Sequence, residues 1–170
     1  FPFLPTHLRS LSIKTKAIDC KLLPPEITNL SVCFLPRILI DDEFVDSFPT
    51  HLVYLSIDID LGIRVSAKKT FPNSLRWLCL FSWYDWNDQF ESSALISLLP
   101  KDLLYLKFDI RFFLPKLGEK GWSLFRKQCP NLKLFWFDWQ EETNRTSAPP
   151  DFQLLHSDYF PVMKWEEVPS

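Results

Sequence analysis

The sequence predicts a single α/β solenoid, with a parallel sheet on its concave face and short helices or loops on its convex face. Three observations support this prediction. One phrase recurs six times, the copies start between 19 and 30 residues apart, and each copy carries apolar residues in the spacing L-x-x-L-x-L. A unit of this size cannot bury its own apolar edge, so the copies must stack. We expect about six irregular repeats over 1–140, followed by a C-terminal loop and capping tail over 141–170.

Each copy is anchored by a proline that precedes the apolar triplet. Proline fixes φ and cannot donate a ladder hydrogen bond, so it ends the preceding segment just before a strand. The six copies read LPTHLRSLSIK from Leu4, LPPEITNLSVC from Leu23, FPTHLVYLSID from Phe48, FPNSLRWLCLF from Phe71, LPKDLLYLKFD from Leu99 and CPNLKLFWFD from Cys129.

The apolar triplets define three columns that we expect to be buried. The closing L-x-L alternation is the period of a strand with one buried face, and the L-x-x step turns the chain into that strand. The first column is Leu8, Ile27, Leu52, Leu75, Leu103 and Leu132; the second is Leu11, Leu30, Leu55, Leu78, Leu106 and Phe135; the third is Ile13, Val32, Ile57, Leu80, Phe108 and Phe137.

Three segments between the copies predict short helices on the convex side. These are 42–48 (DEFVDSF), 92–99 (SSALISLL) and 119–128 (EKGWSLFRKQ). In the last of them Trp122, Phe125 and Cys129 recur at helical spacing. The stretch 60–70 is expected to be looser or extended. In the tail, Gln153-Leu154-Leu155 and Tyr159 to Val162 are apolar enough to pack back onto the last strand.

Composition and charge disfavour several function classes. The net charge of −2 disfavours nucleic-acid binding, which needs an excess of basic residues on one surface. The chain has only three glycines against 14 prolines, and this low glycine content argues against phosphate-binding loops. No apolar run is long enough to span a membrane. The four cysteines are widely spaced, so we expect reduced thiols, no metal site, no cofactor, and a cytoplasmic or nuclear protein. Because their number is even, two disulfides are the alternative.

The pattern resembles the leucine-rich-repeat superfamily. Cys129-Pro130-Asn131-Leu132 is similar to the start of cysteine-containing repeats in F-box proteins, and the other copies resemble proline-led "LPxxLxxLxF" repeats of the FNIP type. The resemblance implies protein binding, in some members substrate capture for a ubiquitin ligase. That role would need a Skp-type adaptor bound through a region upstream of these repeats. The first residue is Phe1 and not Met, which is compatible with such a region. The asparagine usual after the strand is missing here, so turn hydrogen bonds must be satisfied otherwise.

The residues between the columns are predicted to point outward and to form a binding surface for a protein partner. Exposed aromatics clustered on a sheet have the composition of an interface hot spot, and the acidic residues beside them favour a basic segment of the partner. The alternative is that several of these aromatics are buried under the C-terminal tail or long loops. The predicted binding residues are Tyr54, Asp58, Trp77, Phe81, Trp83, Tyr105, Asp109, Trp136 and Asp138, with Asp60 as a further acidic neighbour.

Catalysis is the alternative from another class, and we do not expect an enzyme. Asp109 and Asp138 share one outward row, and a hydrolase would need two such carboxyls a few ångströms apart. No acid–base partner, nucleophile motif or glycine loop accompanies them. A cysteine nucleophile would need distant residues such as Cys79 and His51, and Cys79 has no local activating pattern. A chain that only spaces other domains is a third possibility, which the aromatic content disfavours.

Overall fold

The computed structural model describes residues 4–15, 18–34, 39–58, 62–64, 66, 69–81, 92–109, 113–137 and 153–155. They form a mixed α/β structure built on a parallel sheet. Along the chain its strands are β1 Ser10–Thr15, β2 Asn29–Phe34, β3 Leu39–Asp41, β4 Tyr54–Asp58, β5 Gly62–Arg64, β6 Trp77–Phe81, β7 Tyr105–Asp109, β8 Leu134–Phe137 and β9 Gln153–Leu155. The helices are α1 Asp42–Asp46, α2 Ser92–Leu98 and α3 Phe113–Gln128, with a 3₁₀ turn at Cys20–Leu22.

The main sheet has the order β1-β2-β4-β6-β7-β8-β9, and every neighbouring pair is parallel. Its register aligns the second and third apolar columns as predicted. In the second column, Leu11 pairs with Leu30, Leu30 with Leu55, Leu55 with Leu78 and Leu78 with Leu106. The predicted alignment of these columns on adjoining parallel strands is therefore confirmed.

A tight turn precedes each of the strands that carry the columns. In the first five copies the carbonyl of the anchoring proline accepts a hydrogen bond from the backbone N–H three residues later, which belongs to the first column. The N···O distances lie between 2.9 and 3.2 Å. Proline lacks a backbone N–H but keeps its carbonyl, so it can begin such a turn without leaving a donor unsatisfied. The five pairs are Leu8 with Pro5, Ile27 with Pro24, Leu52 with Pro49, Leu75 with Pro72 and Leu103 with Pro100.

The sixth copy forms the same turn with one substitution. Leu132 N–H donates to the carbonyl of Cys129 at 3.2 Å, so Cys129 occupies the place that proline holds elsewhere. Pro130 then stands second in the turn, a position that suits its fixed φ. The Cys129 Sγ also lies 3.6 Å from the carbonyl oxygen of Pro100 in the preceding copy. This explains why the last copy is one residue shorter after its proline.

One carbonyl in each unit links it to the next. The carbonyl of Thr28 accepts from the backbone N–H groups of both Val53 and Tyr54, at 2.7 and 3.0 Å. Val53 then plays the same role toward Arg76 and Trp77, at 2.9 and 3.0 Å. These shared acceptors satisfy backbone N–H groups at the start of the strands. The positions after the strands, where the usual asparagine is missing, lie outside the described residues.

The core lies between one face of the sheet and the helices. Ile27, Leu30 and Leu55 from the columns are buried in one cluster with helix residues such as Leu95 and Phe125. The cluster is less complete at the first strand, where Leu8, Leu11 and Ile13 are only partly buried against it. No helix within the described ranges is long and apolar enough to cross a membrane.

The helices occur where the sequence predicts them, with different bounds. At α1, Asp41 caps the first turn, because its Oδ1 accepts from Phe44 N–H at 2.8 Å. At the third helix the prediction was too short, since α3 begins at Phe113 instead of 119. Pro115 lies in its first turn, where a missing backbone N–H breaks no helical hydrogen bond.

Two further pairings complete the sheets. Strands β3 and β5 form a separate parallel pair that the sequence did not predict, although β5 falls within the stretch expected to be extended. Strand β9 pairs with β8, so the prediction that Gln153 to Leu155 returns to the last strand is confirmed. Of the C-terminal loop and capping tail predicted over 141–170, everything except Gln153 to Leu155 lies outside the described residues, including Tyr159 to Val162.

Truncation of a second-column residue should be costly. Leu55 is fully buried, whereas Leu22 is 62% exposed. We expect Leu55→Ala to lower the free energy of unfolding by about 2–5 kcal/mol, because it removes buried methyl groups and leaves a cavity. Denaturant titration followed by circular dichroism measures the change. Leu22→Ala is the matched control and should change stability little. Equal effects of the two substitutions would show that the column is not the core.

Candidate functional site

The sheet face opposite the core, called the outer face below, carries a row of three aromatic residues. Tyr54, Trp77 and Tyr105 are direct partners on β4, β6 and β7. Successive side chains of a strand point to opposite faces, and the next residue on each of these strands lies in the core. The aromatic row, defined as these three residues, therefore projects away from the core.

Two members of the aromatic row are stacked. The rings of Trp77 and Tyr105 are 3.5 Å apart between centroids and 14° from parallel. Trp77 is only 7% exposed, whereas Tyr54 and Tyr105 are partly exposed. The expectation of an exposed Trp77 is therefore wrong, because its ring is covered although it lies outside the main core cluster. Stacking fixes the orientation of both rings and leaves the tyrosines as the accessible members of the row.

A buried thiol lies beside the aromatic row. The hydroxyl of Tyr54 is 3.8 Å from the Sγ of Cys79 on the neighbouring strand. Cys79 is 6% exposed and Ser56, its partner across β4 and β6, is 7% exposed. The middle of the outer face is thus closed to solvent. The sequence did not predict the burial of Ser56 and Cys79, because both are small residues at positions that we expected to be exposed.

The environment of Cys79 opposes nucleophilic chemistry. Burial raises the pKa of the Cys79 thiol to about 11, and the Tyr54 hydrogen bond and the charge of Lys107 only partly counteract it. Burial also raises the pKa of the Tyr54 hydroxyl above its usual value, and Cys79 adds to that rise. A reactive cysteine needs the opposite shift, because the thiolate is the nucleophile. The pair forms a structural contact.

A polar rim borders the aromatic row at the turn end of the strands. The guanidinium of Arg76 donates to the carbonyls of Asn73 and Leu75 at 2.8 and 3.2 Å, and lies 3.9 Å from a carboxylate oxygen of Asp102. Asp102 also accepts from the side-chain amide of Asn131 at 3.4 Å. Partly exposed pairs of this kind contribute little stability individually. They place fixed charges next to the tyrosines.

The remaining predicted binding residues are only partly placed. Asp58 lies opposite Phe81 on β6, and Phe81 lies opposite Asp109 on β7, while Trp136 lies opposite Lys107. Their backbones continue the outward rows, and their side chains are outside what the structure describes. Two of the predicted residues, Trp83 and Asp138, and the acidic neighbour Asp60 fall outside the described residues altogether, so the proposed carboxylate pair of a hydrolase is not placed either.

The outer face changes character along the sheet. On β1 and β2 it is small and polar, with the side-chain amide of Asn29 donating to the Ser10 hydroxyl at 3.2 Å. Aromatic residues replace these from β4 onward. Among the residues placed by the structure, no three His, Cys, Asp or Glu side chains come close enough together to hold a metal ion. None of the four cysteines, all of which lie in the described ranges, forms a disulfide bond.

No family model, no curated protein and no solved structure matches this chain. Its candidate site therefore rests on the geometry of its own residues: a stacked Trp–Tyr pair, an adjoining tyrosine and a charged rim on the face of the sheet away from the core.

The buried thiols should make folding stability depend on alkaline pH. Burial raises the pKa of Cys20 and Cys79 to about 11 and that of Cys129 to about 12, from about 9 in an unfolded chain. Above pH 9 the unfolded chain releases these protons while the folded chain keeps them. The free energy of unfolding should therefore fall as pH rises through this window.

Denaturant titrations at stepped pH values from about 8 to about 11 measure this dependence. Cys79→Ala removes one of the three thiols and should make the fall shallower, whatever it does to stability at neutral pH. A profile that stays flat over the whole window would contradict the burial of these thiols.

Proposed function

We propose that the chain is a leucine-rich-repeat-type solenoid that binds a segment of another protein through its outer face, with the aromatic row at the centre of the contact. Three features support the solenoid: the in-register columns, the recurring turn and the position of the helices on the core side of the sheet. In such a stack the outer face is the concave one, which is the surface these arrays use for binding.

The observation that carries the binding proposal is the stacked pair of Trp77 and Tyr105 on the face away from the core. Rigid aromatic side chains offer a large contact area and lose little conformational entropy on binding. Trp77 is already held in place by its neighbour, so it acts as a support, and Tyr105 and Tyr54 are the residues that would contact the partner.

The acidic residues of the sequence favour a partner with basic residues, because the strand register aligns two aspartates with the aromatic strands. Asp58 and Asp109 flank Phe81 in the strand register, on the next outward row beyond Cys79. Carboxylates at the rim of an aromatic patch speed the capture of a basic segment more than they strengthen the final complex. Lys107 and Arg76 on the same face would restrict how such a segment lies. A Skp-type adaptor and a cytoplasmic or nuclear location remain predictions from the sequence.

Non-catalytic binding also fits the chemistry of the site better than hydrolysis does. The cysteine beside the aromatic row has a raised pKa. The groups that are near one another on this face form hydrogen bonds and ring contacts suited to fixing a surface. We therefore propose an interaction module and not an enzyme.

Affinity capture tests the proposal. The chain is immobilised, proteins that it retains are identified, and the affinity of a purified retained protein is measured by calorimetry. We expect Tyr105→Ala to weaken that binding on the order of thirtyfold, as truncation of a central aromatic contact does. Tyr105→Phe keeps the stack with Trp77 and should retain most of the affinity.

Glu119→Ala, on the exposed surface of α3, is the matched control and should bind like the parent chain. Thermal unfolding of each variant excludes a folding defect. Trp77→Ala is unsuitable as a binding test, because loss of a buried ring would destabilise the chain. Full binding by a folded Tyr105→Ala variant would refute the role of the aromatic row.

A further inference from the structure

The first strand of the main sheet has one edge that faces no neighbouring strand in the described sheet order. The carbonyl of Arg9 accepts from the backbone N–H groups of Thr28 and Asn29, at 2.9 and 3.0 Å, so it points toward β2. Backbone groups of successive residues in a strand point to alternate sides. Ser10, Ser12 and Lys14 therefore direct their N–H and C=O groups to the outer edge of β1.

The apolar columns are also incomplete at this edge. Leu11 and Ile13 are partly exposed, whereas their partners on β2, Leu30 and Val32, are buried. The remaining β1 side chains at alternate positions, Ser10, Ser12 and Lys14, are exposed. An edge with unpaired backbone groups and half-covered apolar side chains is a template for another strand.

We propose that this edge pairs with the same edge of a second copy of the chain, antiparallel, about a two-fold axis at Ser12. The sequence of β1, Ser-Leu-Ser-Ile-Lys-Thr, is self-complementary in this arrangement. Ser12 faces Ser12 of the second copy, and Leu11 faces its Ile13. Ser10 faces its Lys14, so the two lysines do not oppose one another.

The backbone geometry selects this register among the possible ones. In antiparallel pairing, residues that direct their N–H and C=O groups at each other exchange two hydrogen bonds. Only with Ser12 at the centre do all three outward residues of each strand find an outward partner, which gives about six hydrogen bonds. If the two-fold axis moved by one residue along β1, either Ser10 or Lys14 would have no hydrogen-bonding partner in the antiparallel pairing.

The side chains support the same register. Directly opposed residues of an antiparallel pair lie on one face, so Leu11 and Ile13 would meet their counterparts on the core side. That contact would cover the apolar surface that β1 leaves half exposed. Pairing about a two-fold axis uses the same patch on both copies, so the assembly stops at a dimer and leaves no free strand edge at this contact.

Mass measurement by light scattering after gel filtration provides the first test. We expect a species of twice the 20.1 kDa chain mass that dissociates on dilution. Ser12→Pro removes an N–H that points away from β2, so it should leave the β1–β2 ladder intact and weaken the dimer at least roughly tenfold. Ser12→Ala keeps the N–H and should remain dimeric.

A pair of charge variants tests the register without proline. Ser10→Glu would place a carboxylate opposite Lys14 of the second copy, and Ser10→Lys would place a second ammonium there. Both variants lose the hydrogen bond between Asn29 and Ser10, so the loss of stability of the single chain from that bond is the same in both. We expect the glutamate variant to dimerise about tenfold more tightly than the lysine variant, with a difference that shrinks at high salt.

The outcomes are distinguishable. A chain that stays monomeric at submillimolar concentration overturns the proposal, as does a dimer that folded Ser12→Pro leaves unchanged. Equal dimer affinities of the two Ser10 variants also overturn it, because the register requires Lys14 as the opposing residue. If Ser12→Pro fails to fold, the charge pair alone decides. The dimer edge involves no residue of the aromatic row, so either proposal can fail without the other.

Discussion

The structure depends on a repeated link in which one backbone carbonyl accepts two N–H groups from the next unit. Thr28, Val53 and Arg76 each provide such a carbonyl just before a strand of the main sheet. A link of this kind fixes where each strand starts relative to its neighbour, because shifting a strand by one residue would break both bonds and turn its side chains to the other face. The alignment of the leucine columns and of the outward rows follows from the same constraint.

That constraint also sets which side chains meet on the outer face. In-register strands place tyrosine beside tryptophan, and the flat rings of Trp77 and Tyr105 fill the space between neighbouring strands by stacking. The small residues Ser56 and Cys79 are buried on the adjacent row, and the Tyr54 hydroxyl contacts the Cys79 thiol. The alternation pattern of a single strand therefore does not predict burial on the face away from the core.

The sequence predicted what short-range periodicity encodes and missed what depends on distant neighbours. The L-x-L triplets after each proline predicted the parallel strands and their pairing, because burial of one face leaves a single workable register. The β3–β5 pair was not predictable, since three-residue strands such as Leu39–Asp41 carry no periodic signal. The early start of α3 was hidden by Pro115, which normally marks the end of a helix and here lies in the first turn. Trp77 stacks on Tyr105, which lies 28 residues later in the chain, so the local sequence carries no signal for this contact.

The two proposed surfaces belong to one sheet, and this has a consequence for binding. A two-fold axis perpendicular to the sheet at Ser12 would keep the outer faces of both copies on the same side. The strands β1 and β6 are separated by β2 and β4, so seven strand spacings would separate Trp77 from its counterpart, about 34 Å along a flat sheet. Two aromatic rows held at a fixed distance on one surface would bind a partner with two such segments far more tightly than either row alone. Association at β1 would thus raise the apparent affinity of the aromatic row without adding a contact to it.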